Sequence, residues 1–166
     1  MEIKEFFSTY RDEICEAYSE RVKNAKSKKD FADMLDINVC DWLCKMNRKH
    51  RDVGSFIGEN FGNFINGRFF NIVETEYGDY SCGLCVGQYL QTETLLSNDI
   101  TCFIDSNIQK LTLAKNNIRT IICSNSKIVV TEIAENSKLF VEKDDTTVIE
   151  FDKKFENRII IRKIKE

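Results

Sequence analysis

One short motif occurs twice near the end of the chain and limits what it can fold into. Asn125-Ser126-Lys127-Ile128-Val129-Val130 recurs eleven residues later as Asn136-Ser137-Lys138-Leu139-Phe140-Val141. Asn107-Ile108 and Asn117-Ile118 echo it at a ten-residue step. Repetition at this scale marks stacked architectures, in which each unit buries its apolar face against the next. Short β-branched runs cover Ile100–Ile104, Ile108–Leu113, Ile118–Cys123, Ile128–Ile133, Leu139–Glu142, Val148–Phe151 and Ile159–Ile164. Between them lie Asp105-Ser106-Asn107, Asn116-Asn117, Ser124-Asn125-Ser126, Glu135-Asn136-Ser137, Asp144-Asp145 and Glu156-Asn157. Asn and Asp tolerate left-handed backbone and bond their own main chain, so these segments read as turns.

Two ten-residue units make one flattened turn of a β-helix. The same spacing also suits an antiparallel sandwich or jelly roll. Strands such as Ile118-Arg119-Thr120-Ile121-Ile122 alternate poorly, as expected where both faces are covered. The solenoid is therefore the favoured reading. Arg68–Val73 reads as a further strand and Tyr77-Gly78-Asp79 as a turn.

The first 67 residues follow a helical period instead. From Glu2 to Lys23, apolar residues fall at Ile3, Phe6, Phe7, Tyr10, Ile14, Ala17, Tyr18 and Val22, which is one helical stripe. Ser27-Lys28-Lys29-Asp30 resembles a capping box before Phe31, Met34 and Leu35. Asn38 is the expected N-cap of a helix from Val39 to about Lys49, with Asp41 in its first turn. A fourth helix is expected over Ser55–Ile65, closed by Asn66-Gly67. The fold class is thus α+β: a helical head of 1–67 and a β-repeat body of 68–166.

This order, together with Ala25-Lys26-Ser27-Lys28 and Asn60-Phe61-Gly62-Asn63-Phe64-Ile65-Asn66-Gly67-Arg68-Phe69, resembles a group of small uncharacterised proteins of gut anaerobes and their phages or mobile elements. The resemblance implies the same head and body. The group has no assigned activity, so no functional residue carries over.

Charge is unevenly distributed. Residues 1–51 hold 11 basic and 10 acidic side chains, residues 52–106 hold one and eight, and residues 107–166 hold 12 and 9. An acidic middle disfavours a polyanion spread over the whole surface, yet permits a local basic patch. That patch is Lys45, Arg48, Lys49 and Arg51 at a helix end, a candidate phosphate contact for a nucleic-acid-binding or regulatory protein. Cations also favour helix C-termini for dipole reasons alone.

The seven cysteines, Cys15, Cys40, Cys44, Cys82, Cys85, Cys102 and Cys123, form an odd set without an export signal, which points to reduced thiols. Cys40, Cys44, Cys82 and Cys85 have spacings that suit a four-thiolate zinc site. Cys40 and Cys44 also interleave with Val39, Trp42, Leu43 and Met46, which favours core packing. Cys82-Gly83-Leu84-Cys85 lacks the following helix that activates a redox Cys-x-x-Cys. His50 is the sole histidine, which excludes multi-histidine metal centres within one chain. Glu74, Glu76 and Asp79 do not have EF-hand spacing, although a carboxylate enzyme on a β-helix is an open alternative. No phosphate-binding loop or dinucleotide fingerprint occurs.

The expectation is therefore a cytoplasmic, non-enzymatic protein–protein interaction or structural module without a cofactor or a membrane span. Ile159–Ile164 would leave an open edge unless another protomer covered it, so a homo-oligomer is expected.

Overall fold

Positions twenty residues apart lie side by side. Ile100 pairs with Thr120, Thr120 with Phe140, and Phe140 with Ile160, all in parallel. In the computed structural model, which describes residues 19–21, 24, 26, 30, 33–50, 68–95 and 99–165, this stacking builds a β-solenoid of about four turns. Each full turn supplies one strand to each of two sheets, so the ten-residue units of the sequence are half-turns.

The strands are β1 (Arg68–Val73), β2 (Tyr80–Val86), β3 (Tyr89–Leu90), β4 (Glu93–Leu95), β5 (Ile100–Ile104), β6 (Asn107–Leu113), β7 (Ile118–Ser124), β8 (Lys127–Ile133), β9 (Lys138–Lys143), β10 (Val148–Phe151) and β11 (Ile159–Lys163). One sheet runs β1-β2-β5-β7-β9-β11 and the other β10-β8-β6-β3, with β4 also on β6. Among the described strands, only β1 pairs antiparallel, with Phe70 opposite Gly83. A 3-10 turn over Lys153–Arg158 joins β10 to β11.

The corners explain the Asn and Asp positions. Gly87, Asp105 and Asn125 hold φ of 61°, 50° and 47° at equivalent places along one edge of the coil, and Asn116 and Asn136 hold 58° and 59° on the other. Left-handed backbone is costly for most side chains and mild for Gly, Asn and Asp. The residue after each corner on the first edge forms a ladder between turns. The Gln88 N–H donates to Ser106 Oγ at 3.2 Å, Ser106 N–H to Ser126 Oγ at 3.1 Å, and Ser126 N–H to Thr147 Oγ1 at 3.3 Å. These hydroxyls are buried yet paired, as buried polar groups must be.

The solenoid interior is apolar: Phe103, Ile121, Cys123, Leu139 and Val141 meet Ile108, Leu111, Leu113, Ile128 and Val130 from the facing sheet. A second core lies outside the first sheet. There a helix, α1 (Ile37–Lys49), presses Val39, Cys40, Leu43, Cys44 and Met46 onto Cys82, Leu84, Val86, Cys102, Ile104 and Ile122. Strands covered on both faces lose the alternation of apolar and polar residues, which is why β5 and β7 read as continuous apolar runs.

The helix starts earlier than expected. Asp36, not Asn38, is the N-cap, its carboxylate accepting from the Val39 N–H at 2.8 Å. A charged acceptor satisfies the orphan N–H better than a neutral amide. Asp41 therefore lies beyond the first turn and pairs with Lys45. The strands β2, β3 and β4 extend the coil upstream of the regular repeats. The expected helices over Glu2–Lys23, 27–35 and Ser55–Ile65 fall mostly or wholly outside the described residues. Among the described residues, no helix is long and apolar enough to cross a membrane.

Candidate functional site

Cysteine placement follows from strand geometry. Side chains alternate faces along a strand, so residues three apart point oppositely. Cys82 faces α1, while Cys85 faces the solenoid interior, and Cys-x-x-Cys on β2 is not a convergent pair. Cys40 and Cys44, one helical turn apart, point to the same sheet. The Cys40 and Cys82 sulfurs lie 3.3 Å apart, and those of Cys44 and Cys102 lie 3.5 Å apart. The structure thus joins three of the four sequence-nominated ligands and replaces Cys85 with Cys102. Spacing in the sequence does not group Cys102 with the other three, because only the stacking of successive turns brings β5 beside β2.

All four thiols are fully buried. The Cys82 thiol is raised by its bond to Cys40 and by desolvation, and burial pushes Cys44 up to about 11. Cys85 is also pushed up to about 11 by burial, against the pull of Arg68 and Ser106. Thiols of this kind pack as small hydrophobes and stay protonated near neutrality. Among the described residues, no three His, Cys, Asp or Glu side chains are arranged to hold a metal ion.

A polar corner sits at the far end of α1. The Asn47 side-chain amide, fully buried, donates to Asp105 Oδ1 at 3.0 Å and to Ser124 Oγ at 3.1 Å. Ser124 donates onward to Asp144 Oδ2 at 2.7 Å. Asp144 Oδ1 accepts from the Thr147 hydroxyl at 2.8 Å and N–H at 3.0 Å, from Thr146, and from the Asn125 N–H. Desolvation raises the Asp144 carboxyl, and the donors from Ser124, Thr147, Thr146 and Asn125 outweigh it, leaving it below the usual carboxylate value. This carboxylate is held ionised by donors that organise a turn. Spacing alone did not reveal it, since Asp144 reads as half of an Asp-Asp turn.

The basic helix end is partly neutralised. Lys45 forms an ion pair with Asp41 at 2.8 Å, and Arg48 lies in the field of Asp145, itself paired with Lys163 at 2.8 Å. Lys49 and His50 also engage neighbouring groups, and the His50 N–H caps Met46 O. Arg51 lies outside the described residues. Glu74, Glu76 and Asp79 are exposed on the β1–β2 loop, where Thr75 bonds to Gly78. A cavity of about 50 Å³ opens at the first turn between Arg68, Gly83, Cys85, Glu93, Thr101 and Phe103. Arg68 pairs with Glu93 over it.

Comparison with family models, curated proteins and solved structures finds no match to this chain.

Proposed function

We propose that this chain is a non-enzymatic protein–protein interaction or structural module that acts in the cytoplasm and self-associates through its last turn. Its setting, on the resemblance drawn from the sequence, is a phage or mobile element. The observation that supports the reading is that, among the described residues, β10 and β11 are the last strands of the two sheets and each pairs on one side alone. Unpaired edges template the addition of further strands. Ile161 and Val148 are 41% and 49% exposed there.

A second copy is the occupant that the sequence of β11 favours. Antiparallel pairing centred on Ile161 sets Ile160 opposite Arg162 and Ile159 opposite Lys163 of the other copy. No two cations then face each other directly, which is the arrangement that cross-strand pairing tolerates. The pairing is two-fold and closed, so it ends at a dimer.

Sedimentation of the full chain at micromolar concentration tests this. A dimer that becomes monomeric in Ile161→Lys, where two added cations would meet, supports the reading. A wild-type monomer at that concentration overturns self-association through this edge.

A further inference from the structure

Two thiol pairs in register across one seam are more than space-filling requires. Cys40 and Cys44 occupy successive turns of α1, and Cys82 and Cys102 occupy adjacent parallel strands, with Leu84 opposite Cys102. The Cys40 and Cys82 sulfurs lie 3.3 Å apart and the Cys44 and Cys102 sulfurs 3.5 Å, and Cys102 interacts with Cys40 as well. Cys102 also lies 3.9 Å from the Cys40 carbonyl oxygen. A single thiol packed as a hydrophobe has no reason to find a second. Cys123, in the solenoid interior, is not among the paired sulfurs. Cys85, in that interior as well, has Ser106 Oγ, not another sulfur, at 4.0 Å.

We infer that the seam between α1 and the first sheet is an oxidative modification site, at which Cys40 and Cys82 form a disulfide that staples the helix to the solenoid, with Cys44 and Cys102 as a second pair in the same register. The co-reactant is a hydroperoxide. One thiol, as thiolate, attacks the peroxide oxygen; the O–O bond breaks, a sulfenic acid forms, and water leaves with the thiol's proton. The partner thiol then attacks that sulfur, the S–O bond breaks, and a second water leaves. Two thiols and one hydrogen peroxide give one disulfide and two waters, with sulfur oxidised by two electrons and peroxide reduced by two.

Burial sets the timing. The thiols are sealed from solvent, so the first attack requires α1 to lift locally from the sheet. Re-docking returns Cys40 to Cys82 and Cys44 to Cys102, the short contacts of the docked state, which favours those pairings. The staple closes a loop from position 40 to position 82, restricting the undocked state more than the docked one.

The test uses the reduced full chain with hydrogen peroxide at neutral pH, quenched by acid and alkylated, with peptides mapped without reduction. The expected product has lost about 2 Da per bridge, carries a Cys40–Cys82 cross-link, melts higher than the reduced chain, and reverts with dithiothreitol. Cys85→Ala should cross-link like wild type, and Cys82→Ser should lose the Cys40 cross-link. Scrambled pairings, over-oxidation of Cys40 to the sulfinic acid, or seam thiols that stay reduced would each overturn the proposal. So would one zinc per chain released by thiol alkylation, because the sulfurs would then be ligands.

Discussion

Replacing Asp144 with Ala should unfold the corner where α1, β7 and the last turn meet. The carboxylate is 3% exposed and receives hydrogen bonds from the Ser124 hydroxyl, from the N–H and hydroxyl groups of Thr146 and Thr147, and from the Asn125 N–H. Ser124 and Thr147 are buried, so their freed donors cannot turn to water. Orphaning a buried donor costs ~1–3 kcal/mol, and two such groups give a loss of about 3 kcal/mol. For a chain of this length, ~2–4 °C per kcal/mol then puts the fall in Tm at about 6–12 °C. The pH dependence has a definite sign. The native carboxyl titrates below its unfolded value, so its contribution is complete above the unfolded pKa of ~3.9 and drains away as pH falls through the lower native value. Circular dichroism melts of wild type and Asp144→Ala at pH 7 and at steps down to pH 2 would measure this. The gap should be widest near neutrality and narrow in acid. Equal melting of the two proteins at pH 7, or a gap that widens on acidification, would refute the reasoning.

Two further substitutions probe the corners and the interior. Asn125 holds φ of 47° and its amide donates to Asp105 Oδ1 at 2.8 Å. Asn125→Ala should cost ~1–2 kcal/mol, from the left-handed conformation and the lost bond, and Asn125→Gly distinctly less; denaturation midpoints that rank Gly with or below Ala would contradict this. Phe103, 1% exposed at the centre of the solenoid, should cost about 3–5 kcal/mol on truncation to Ala and less to Leu. A Phe103→Ala protein with a wild-type urea midpoint would mean that the interior is not organised as described.

The solenoid was legible wherever side chains had one job. Asn125 and Asn136 advertise their corners because few residues accept their backbone, and the apolar runs between them repeat at the half-turn. The first turn was not legible for the opposite reason. Tyr80–Val86 contains Gly83 and two cysteines and little β-branching, and β3 and β4 are only two and three residues long. Their strand character comes from pairing with β5 and β6, a tertiary effect that local propensity does not report. The candidate seam was half legible. Cys40, Cys44 and Cys82 were nominated by spacing, but spacing treats Cys82 and Cys85 as neighbours, whereas the pleat sends them to opposite faces.

The reach of α1 can be followed along the residue columns of the first sheet. Leu84, Cys102 and Ile122 stack in one column on the helix side, and the next member, on β9, is Glu142. Val86 and Ile104 stack in another, and the next member is Ser124, which donates to Asp144. The change from apolar to polar marks where the helix footprint ends, and Asn47 sits at that boundary with its amide on Ser124 and Asp105. On the outer face of the far sheet, Thr94 bonds Thr112 and Lys127 pairs with Glu150. Among the described residues, apolar burial outside the solenoid is concentrated in the seam over the early turns, while Ile161 and Val148 stay exposed on the last strand of each sheet. An apolar helix dock over the early turns and the last strands at the other end give the coil a direction, and the proposed antiparallel dimer would close that end instead of prolonging the parallel stack.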